Sequence, residues 1–256
     1  TINQSLPVHV KLDTGMSRLG TPWQEATEFV QLVQRLPNLK LASVYSHLAT
    51  ADNPDRTIML QQHQHFEQAI AQIKIAGINP DRLHLANSAA TLTHPDLHYD
   101  LVRVGLATYG LYPAPHLQSV INLKPVMQVK ARVTQVKTIE PGTGVSYGHQ
   151  FVAEQQTQIA VVGIGYADGI PRNLSNKMKV LIRGKFVQQV GAVTMDQLML
   201  DVTDIPDLEV GEVVTLLGKD GENLISADDW AATLGTISWE ILCGFKHRLP
   251  RVGVNC

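Results

Sequence analysis

Val8-His9-Val10-Lys11-Leu12, running into Asp13-Thr14-Gly15-Met16-Ser17-Arg18-Leu19-Gly20, sets the grammar of the first half of the chain. A β-rich run gives way to a glycine-containing loop with a polar residue at its exit. In Thr21-Pro22-Trp23-Gln24, Thr stands at N-cap, Pro at N1 and Gln at N3. Ala26, Phe29, Val30, Val33 and Leu36 follow at helical spacing, which predicts an amphipathic helix. The pattern then repeats. Leu41 to Tyr45 reads as a strand ending in Ser46-His47-Leu48-Ala49-Thr50, and a helix is expected from about Thr57 to Ala76 with Gly77 as its C′ residue. Leu83-His84-Leu85-Ala86 reads as a third strand opening at Asn87-Ser88, and Leu101-Val102-Arg103-Val104 as a fourth ending in Gly105-Leu106.

Strand and helix alternate, and Arg18, His47, Asn87, Ser88 and Arg103 all sit where strands end. That is the layout of a parallel β/α barrel, whose active face is built from the loops at the carboxyl ends of its strands. Four units are half of a barrel that takes eight units in roughly 250 residues. Half a barrel has open sheet edges, so about four preceding units, on the order of 120 residues, are expected to be missing or supplied by another chain. After Pro113-Ala114-Pro115 the pattern changes to short β-rich runs separated by Gly/Asp/Pro turns: 126–139, 158–165, 178–182, 187–193, 198–202 and 213–217. Short helices are expected over 227–234 and 238–243. The expected fold class is α/β plus all-β: the C-terminal half of a TIM-type barrel in residues 1–120, then a mostly β domain in 121–256.

Composition narrows the function. The 256 residues are 44% hydrophobic and carry a net charge of -2, enough for a sizeable core and without the basic footprint that nucleic acid requires. Two cysteines, Cys243 and Cys256, make neither a disulfide framework nor a metal-ligand spacing, so no metal is expected and a reducing, cytoplasmic setting is the default. No run reaches the roughly 18 apolar residues of a membrane helix, and Thr1-Ile2-Asn3-Gln4 lacks a signal layout.

One further stretch invites chemistry. Pro141-Gly142-Thr143-Gly144-Val145-Ser146-Tyr147-Gly148-His149 frames a single phenol with three glycines. The loop reads as a hairpin turn with an incidental tyrosine, or as a close approach that brings Tyr147 to a ligand or another chain.

Read together, 9–20, Ser46 to Asp52, Ala86 to Ala90, Val102 to Leu106, Gly144 to Gly148, Gly165-Tyr166-Ala167-Asp168-Gly169 and Met195-Asp196-Gln197 closely resemble alanine racemase, over nearly the whole chain. The resemblance implies a pyridoxal 5'-phosphate (PLP) enzyme with a β/α barrel and a β domain. It would work as a head-to-tail homodimer that interconverts L- and D-alanine by a two-base mechanism and supplies D-alanine for cell-wall synthesis. The family's cofactor lysine lies in an upstream motif resembling Val-Lys-Ala-Asn-Ala-Tyr-Gly, which these residues do not contain. A C-terminal portion lacking the N-terminal part with that lysine, inactive alone, is therefore expected.

By the same resemblance, Tyr147 is one base, acting in the partner's site, and His47 and Arg103 continue from it to the cofactor ring nitrogen. Arg18 stands near the PLP phenolic oxygen and the substrate carboxylate, and Lys11 matches a lysine carbamylated in many members. Asn87, Ser88, Gly105 and Leu106 match the phosphate cradle, although Asn87-Ser88 also reads as a plain N-cap. Met195 and Asp196 match partner-supplied residues around the substrate. Two positions depart: His247 stands where some members have a phosphate-contacting tyrosine, and Ala192 where an arginine is common. The alternatives are a non-catalytic complementing fragment, a broad-specificity amino-acid racemase, or a decarboxylase of the same barrel class. The last is disfavoured because those enzymes generally pair the ring nitrogen with an acidic residue.

Overall fold

A computed structural model describes residues 4–254, so the N-terminal reading at Thr1 to Asn3 and Cys256 lie outside the described residues. The chain divides into two units, Thr1–Lys124 and Pro125–Cys256.

The first unit contains β1 (Leu6–Asp13), β2 (Thr21–Pro22), β3 (Leu39–Tyr45) and β4 (Leu83–His84), in a sheet of order β2-β1-β3-β4 with every pairing parallel. Helices α1 (Ala26–Arg35), α2 (Thr57–Ile75) and α3 (Ser88–Thr93) connect and follow the strands. Val10, Leu12 and Val44 from the strands are buried with Val30 and Val33 of α1 and Met59, Phe66, Ile70 and Ile73 of α2 in one core. Helix α2 ends as its sequence requires. Gly77, at φ +79°, donates to the Lys74 carbonyl and Ile78 donates to Ile73, satisfying carbonyls that the last turn would orphan.

Two expectations need correction. Thr21 and Pro22 do not cap a helix: they pair with Leu12 and Asp13 as β2, a short 3-10 turn (Trp23–Glu25) follows, and α1 begins at Ala26 without a side-chain cap. Pairing with β1 satisfies the backbone before the helix starts, so the capping signal is overridden. Leu101 to Val104 is not a strand. Its backbone bonds to the neighbouring strand are two, the Asp100 amide to the Leu83 carbonyl and the Arg103 amide to that of Ala86, too few for a ladder. The four-stranded count thus arises from β2 rather than from this segment.

The second unit is an antiparallel sheet. Its strands are β5 (Val129–Ile139), β6 (Gly144–Val145), β7 (Phe151–Val152), β8 (Thr157–Val162), β9 (Lys179–Ile182), β10 (Lys185–Gln189), β11 (Leu198–Asp201), β12 (Val213–Asp220) and β13 (Asn223–Ile225). Seven of these run in the order β13-β12-β5-β8-β11-β10-β9, with an added β12–β9 pairing that joins the sheet back on itself. The hairpin β6–β7 stands apart and carries the Tyr147 loop. Helices α4 (Ala227–Leu234) and α5 (Ser238–Gly244) lie at the expected positions, α4 opened by a Ser226/Asp229 capping box. No described helix is long and apolar enough to cross a membrane.

Candidate active site

The first unit gathers its polar residues at the carboxyl ends of β1, β3 and β4. Ser46, just past β3, is buried and donates to the Leu12 carbonyl at 2.8 Å while its oxygen meets Thr14 Oγ1 at 2.8 Å. From α2, buried Gln62 accepts from the Ala49 amide at 2.8 Å and donates to the His47 carbonyl at 3.0 Å. The His47 loop is clamped from both sides.

Arg103 is the hub. Its Nη2 donates to the Ser46 carbonyl at 2.7 Å and the Leu85 carbonyl at 3.2 Å, and lies 3.2 Å from His47 Nδ1. Its Nη1 lies 2.7 Å from His84 Nδ1. The guanidinium also sits 5.1 Å from the centre of the Tyr45 ring, which stacks on His84. A guanidinium has donors only, so both Nδ1 atoms must be bare acceptors and both imidazoles are Nε2–H tautomers. Their basicity agrees. Burial, then the positive charge of Arg103, pushes His47 down to about 4, with Arg18 and Lys11 adding to the effect. Burial, then Arg103 and His9, pushes His84 down to about 4 as well. The arrangement is a fixed cation held by two neutral histidines.

These groups line a cavity of about 460 Å³ with Lys11, Arg18 and Tyr45. Lys11 Nζ donates to the Leu19 carbonyl at 2.9 Å, and burial followed by the charge of Arg18 lowers its pKa. Asn87 caps α3, accepting from the Ala90 amide at 3.1 Å. Ser88 Oγ accepts from the amides of Gly105 at 3.1 Å and Ala107 at 3.4 Å, so a hydroxyl and two amides converge beside the N-terminus of a 3-10 turn, Leu106–Tyr109. The amide that joins that of Gly105 at Ser88 is Ala107's.

The second unit has its own cavity, of about 1150 Å³, lined by Tyr147, Tyr166, Met195 and Asp196 among others. Tyr147 is 73% exposed and Met195 56%. Ser146, at φ +63°, turns the chain outward just before Tyr147, and its hydroxyl is tied to the Ala192 carbonyl at 2.7 Å. Ala192 is buried there. The Met195 turn is fixed by backbone: Tyr166 donates to the Thr194 carbonyl and Ala167 to that of Met195, both at 2.9 Å. Gly165 makes this approach possible, since a Cβ there would lie 2.2 Å from the Thr194 oxygen. Asp168, 7% exposed, accepts from the Gly165 amide and from Arg248 Nε, each at 2.9 Å, which ties the 245–251 segment to the Gly165 motif. His247 is exposed and is not among the residues lining this cavity.

Arg18, His47, Arg103 and Lys11 are thus brought together in one unit, and Tyr147, Met195 and Asp196 in the other. Sequence reasoning missed His84, Gln62 and Tyr166. His84 was legible only as a strand residue, and its one signal is a polar ring in an apolar run.

Family models described as "Alanine racemase, N-terminal domain" and "Alanine racemase, C-terminal domain" match residues 1–113 and 126–253. The chain belongs to the alanine racemase family. It is 72% identical over 249 residues to an alanine racemase of Nostoc sp., covering 97% of this chain and 64% of that protein. To one of Synechocystis sp. it is 64% identical over 251 residues, covering 98% and 68%. Its fold is similar to the crystal structure of alanine racemase from Bacillus anthracis with bound L-Ala-P, at a TM-score of 0.92 and 35% identity, covering 98% of this chain and 65% of that one. The alanine racemase of D-cycloserine-producing Streptomyces lavendulae gives 0.90 and 39%, covering 99% and 67%. The fold class is accordingly that of alanine racemases, a TIM-type barrel with a β C-terminal domain. Residues 1–113 match the N-terminal family domain, so the expectation that the N-terminal part is absent is not supported by the comparison. The chain nonetheless spans just under two thirds of the Nostoc relative's length.

Proposed function

We propose that this chain serves an alanine racemase that interconverts L- and D-alanine with PLP, in the cytoplasm, through Arg103, His47 and Tyr147. The observation that carries the reading is the Arg103 fork, a permanent cation meeting two neutral imidazoles in the cavity that also holds Arg18 and Lys11. Relatives named alanine racemase support the substrate.

The residues present fit PLP on two counts. Ser88 Oγ accepts from two amides, which leaves its own hydrogen to offer a phosphate beside the Gly105 backbone, with open space on the Cα of Gly105. Arg103 cannot readily give up a proton, so it suits a ring nitrogen that is to stay unprotonated. When bound, PLP supplies an electron sink for the α-carbon, and an arginine partner makes that sink a mild one.

Arg18 would hold the substrate carboxylate, for which a planar guanidinium is shaped. Racemisation takes a proton from one face and returns it to the other. Tyr147 Oη holds and moves one of those protons, in the partner subunit's site of a homodimer, with Met195 and Asp196 beside it. His47, neutral and bearing its proton on Nε2, can donate outward and favour the phenolate. The second base is a lysine, as the family resemblance implies. The lowered basicity of Lys11 raises the share of free amine that carbamylation needs; an intact mass without the added carboxyl group counts against this modification.

The test adds PLP and borohydride to the purified protein, maps any pyridoxyl-lysine by mass spectrometry, and assays alanine racemisation on the same sample. A specific pyridoxyl-lysine together with racemisation supports the reading. Racemisation without any adduct, or neither adduct nor racemisation, overturns it.

A further inference from the structure

Behind Arg103 lies a second row of side chains that the mechanism does not use. His84 Nε2 is 2.9 Å from Ser43 Oγ, and Ser43 Oγ is 2.6 Å from His9 Nδ1. Ser43 is 1% exposed and His84 5%, so neither can turn to water. The proton positions follow from Arg103. Its Nη1 can only donate, so His84 Nδ1 is bare and His84 Nε2 carries the hydrogen. Ser43 Oγ must then accept from His84, which leaves its own hydrogen free to meet His9 Nδ1.

We infer that Ser43 is a positioning residue for Arg103: by accepting from His84 and donating to His9, it fixes the imidazole plane whose bare Nδ1 holds the guanidinium. Without the hydroxyl, the His84 N–H is buried and unpaired, a cost that the ring can relieve by rotating. Rotation withdraws Nδ1 from Arg103. The Ser46 and Leu85 carbonyls still hold Nη2, so the fork is loosened at one tine rather than lost. Tyr45, stacked on His84 at 4.7 Å, resists tilting of the ring but cannot choose which nitrogen faces Arg103. Ser43 adds the anchor at Nε2 that keeps Nδ1 turned toward Arg103. The inference depends on the proposed function only for its catalytic consequence.

The experiment uses protein labelled with ¹⁵N at histidine and arginine. In the wild type, His84 is expected to show a protonated Nε2 and a bare, hydrogen-bonded Nδ1, with Arg103 side-chain N–H signals protected from exchange. Ser43→Ala is expected to average the two His84 nitrogens and broaden the Arg103 signals, with kcat lower by roughly 10-fold, the scale on which supporting hydrogen bonds act at a site, and KM little changed. His9→Ala, which leaves the buried hydroxyl in place, is expected to give a smaller change in the same signals and keeps the test open if Ser43→Ala folds poorly. Wild-type His84 protonated on Nδ1, or His84 and Arg103 signals unmoved in a folded Ser43→Ala or His9→Ala protein, would overturn the inference. A protein that shows these nitrogen signals but racemises no alanine would leave Ser43's role standing and remove the proposed function instead.

Discussion

Arg103 and His84 meet at 2.7 Å, Nη1 against Nδ1, and the Tyr45 ring stacks on the imidazole and lies 5.1 Å from the guanidinium carbon. The contact sets the charge state of His84. A cation that cannot lose its proton forces a neutral imidazole, and the same logic reaches His47 through Nη2. The fork itself therefore keeps one positive charge where two histidines near neutral pH could have added more.

This makes stability depend on pH in a defined direction. His47 and His84 both fall from 6.5 to about 4 on folding. Between those values the unfolded chain binds protons that the folded chain refuses, so stability is fully present above 6.5 and is lost as pH falls toward 4. Urea unfolding followed at Trp23 should give a lower midpoint at about pH 5 than at about pH 7.5, and His84→Gln with His47→Gln should flatten the difference.

Arg103→Lys should be costly although it keeps the charge. One ammonium has three donors, against the four acceptors met by the fork: His84 Nδ1, Ser46 O, His47 Nδ1 and Leu85 O. At least one buried acceptor is orphaned, so a loss of about 1–3 kcal/mol is expected by urea titration, together with weaker PLP binding by absorbance titration.

Gly165→Ala tests the Met195 turn. The added methyl would lie 2.2 Å from the Thr194 carbonyl oxygen and 2.6 Å from the Asp196 amide nitrogen, both backbone. Backbone must move, and a loss of about 1–3 kcal/mol is expected by thermal or urea unfolding. An unchanged unfolding midpoint would mean that the turn yields freely.

Much of the fold was legible in the sequence. The α2 terminus was readable because Gly77 does what a C′ glycine does, and the strand–helix alternation because strand and helix periods differ. Leu101 to Val104 looked like a strand because its apolar residues resemble one, yet within it the Arg103 amide alone makes a backbone bond to the neighbouring strand. Thr21-Pro22 carried a capping signal that pairing with β1 overrode. Of the candidate site, His47 and Arg103 were legible as loop motifs that the structure brings into one cavity, while Tyr147 lines the cavity of the other unit. Gln62, His84 and Ser43 escaped because their importance lies in contacts 15, 19 and 41 residues away along the chain.

The measurement that bears most directly on the central claim is Tyr147→Phe in the PLP-loaded protein, following α-hydrogen exchange into L- and D-alanine separately in heavy water. Tyr147 is 73% exposed, so stability should stay within about 0.5 kcal/mol. Racemisation should fall by roughly 10²–10⁴-fold, the contribution of one positioned acid–base group, with exchange lost from one enantiomer far more than from the other. Equal exchange into both enantiomers at the wild-type rate would contradict the assignment of Tyr147 as a base.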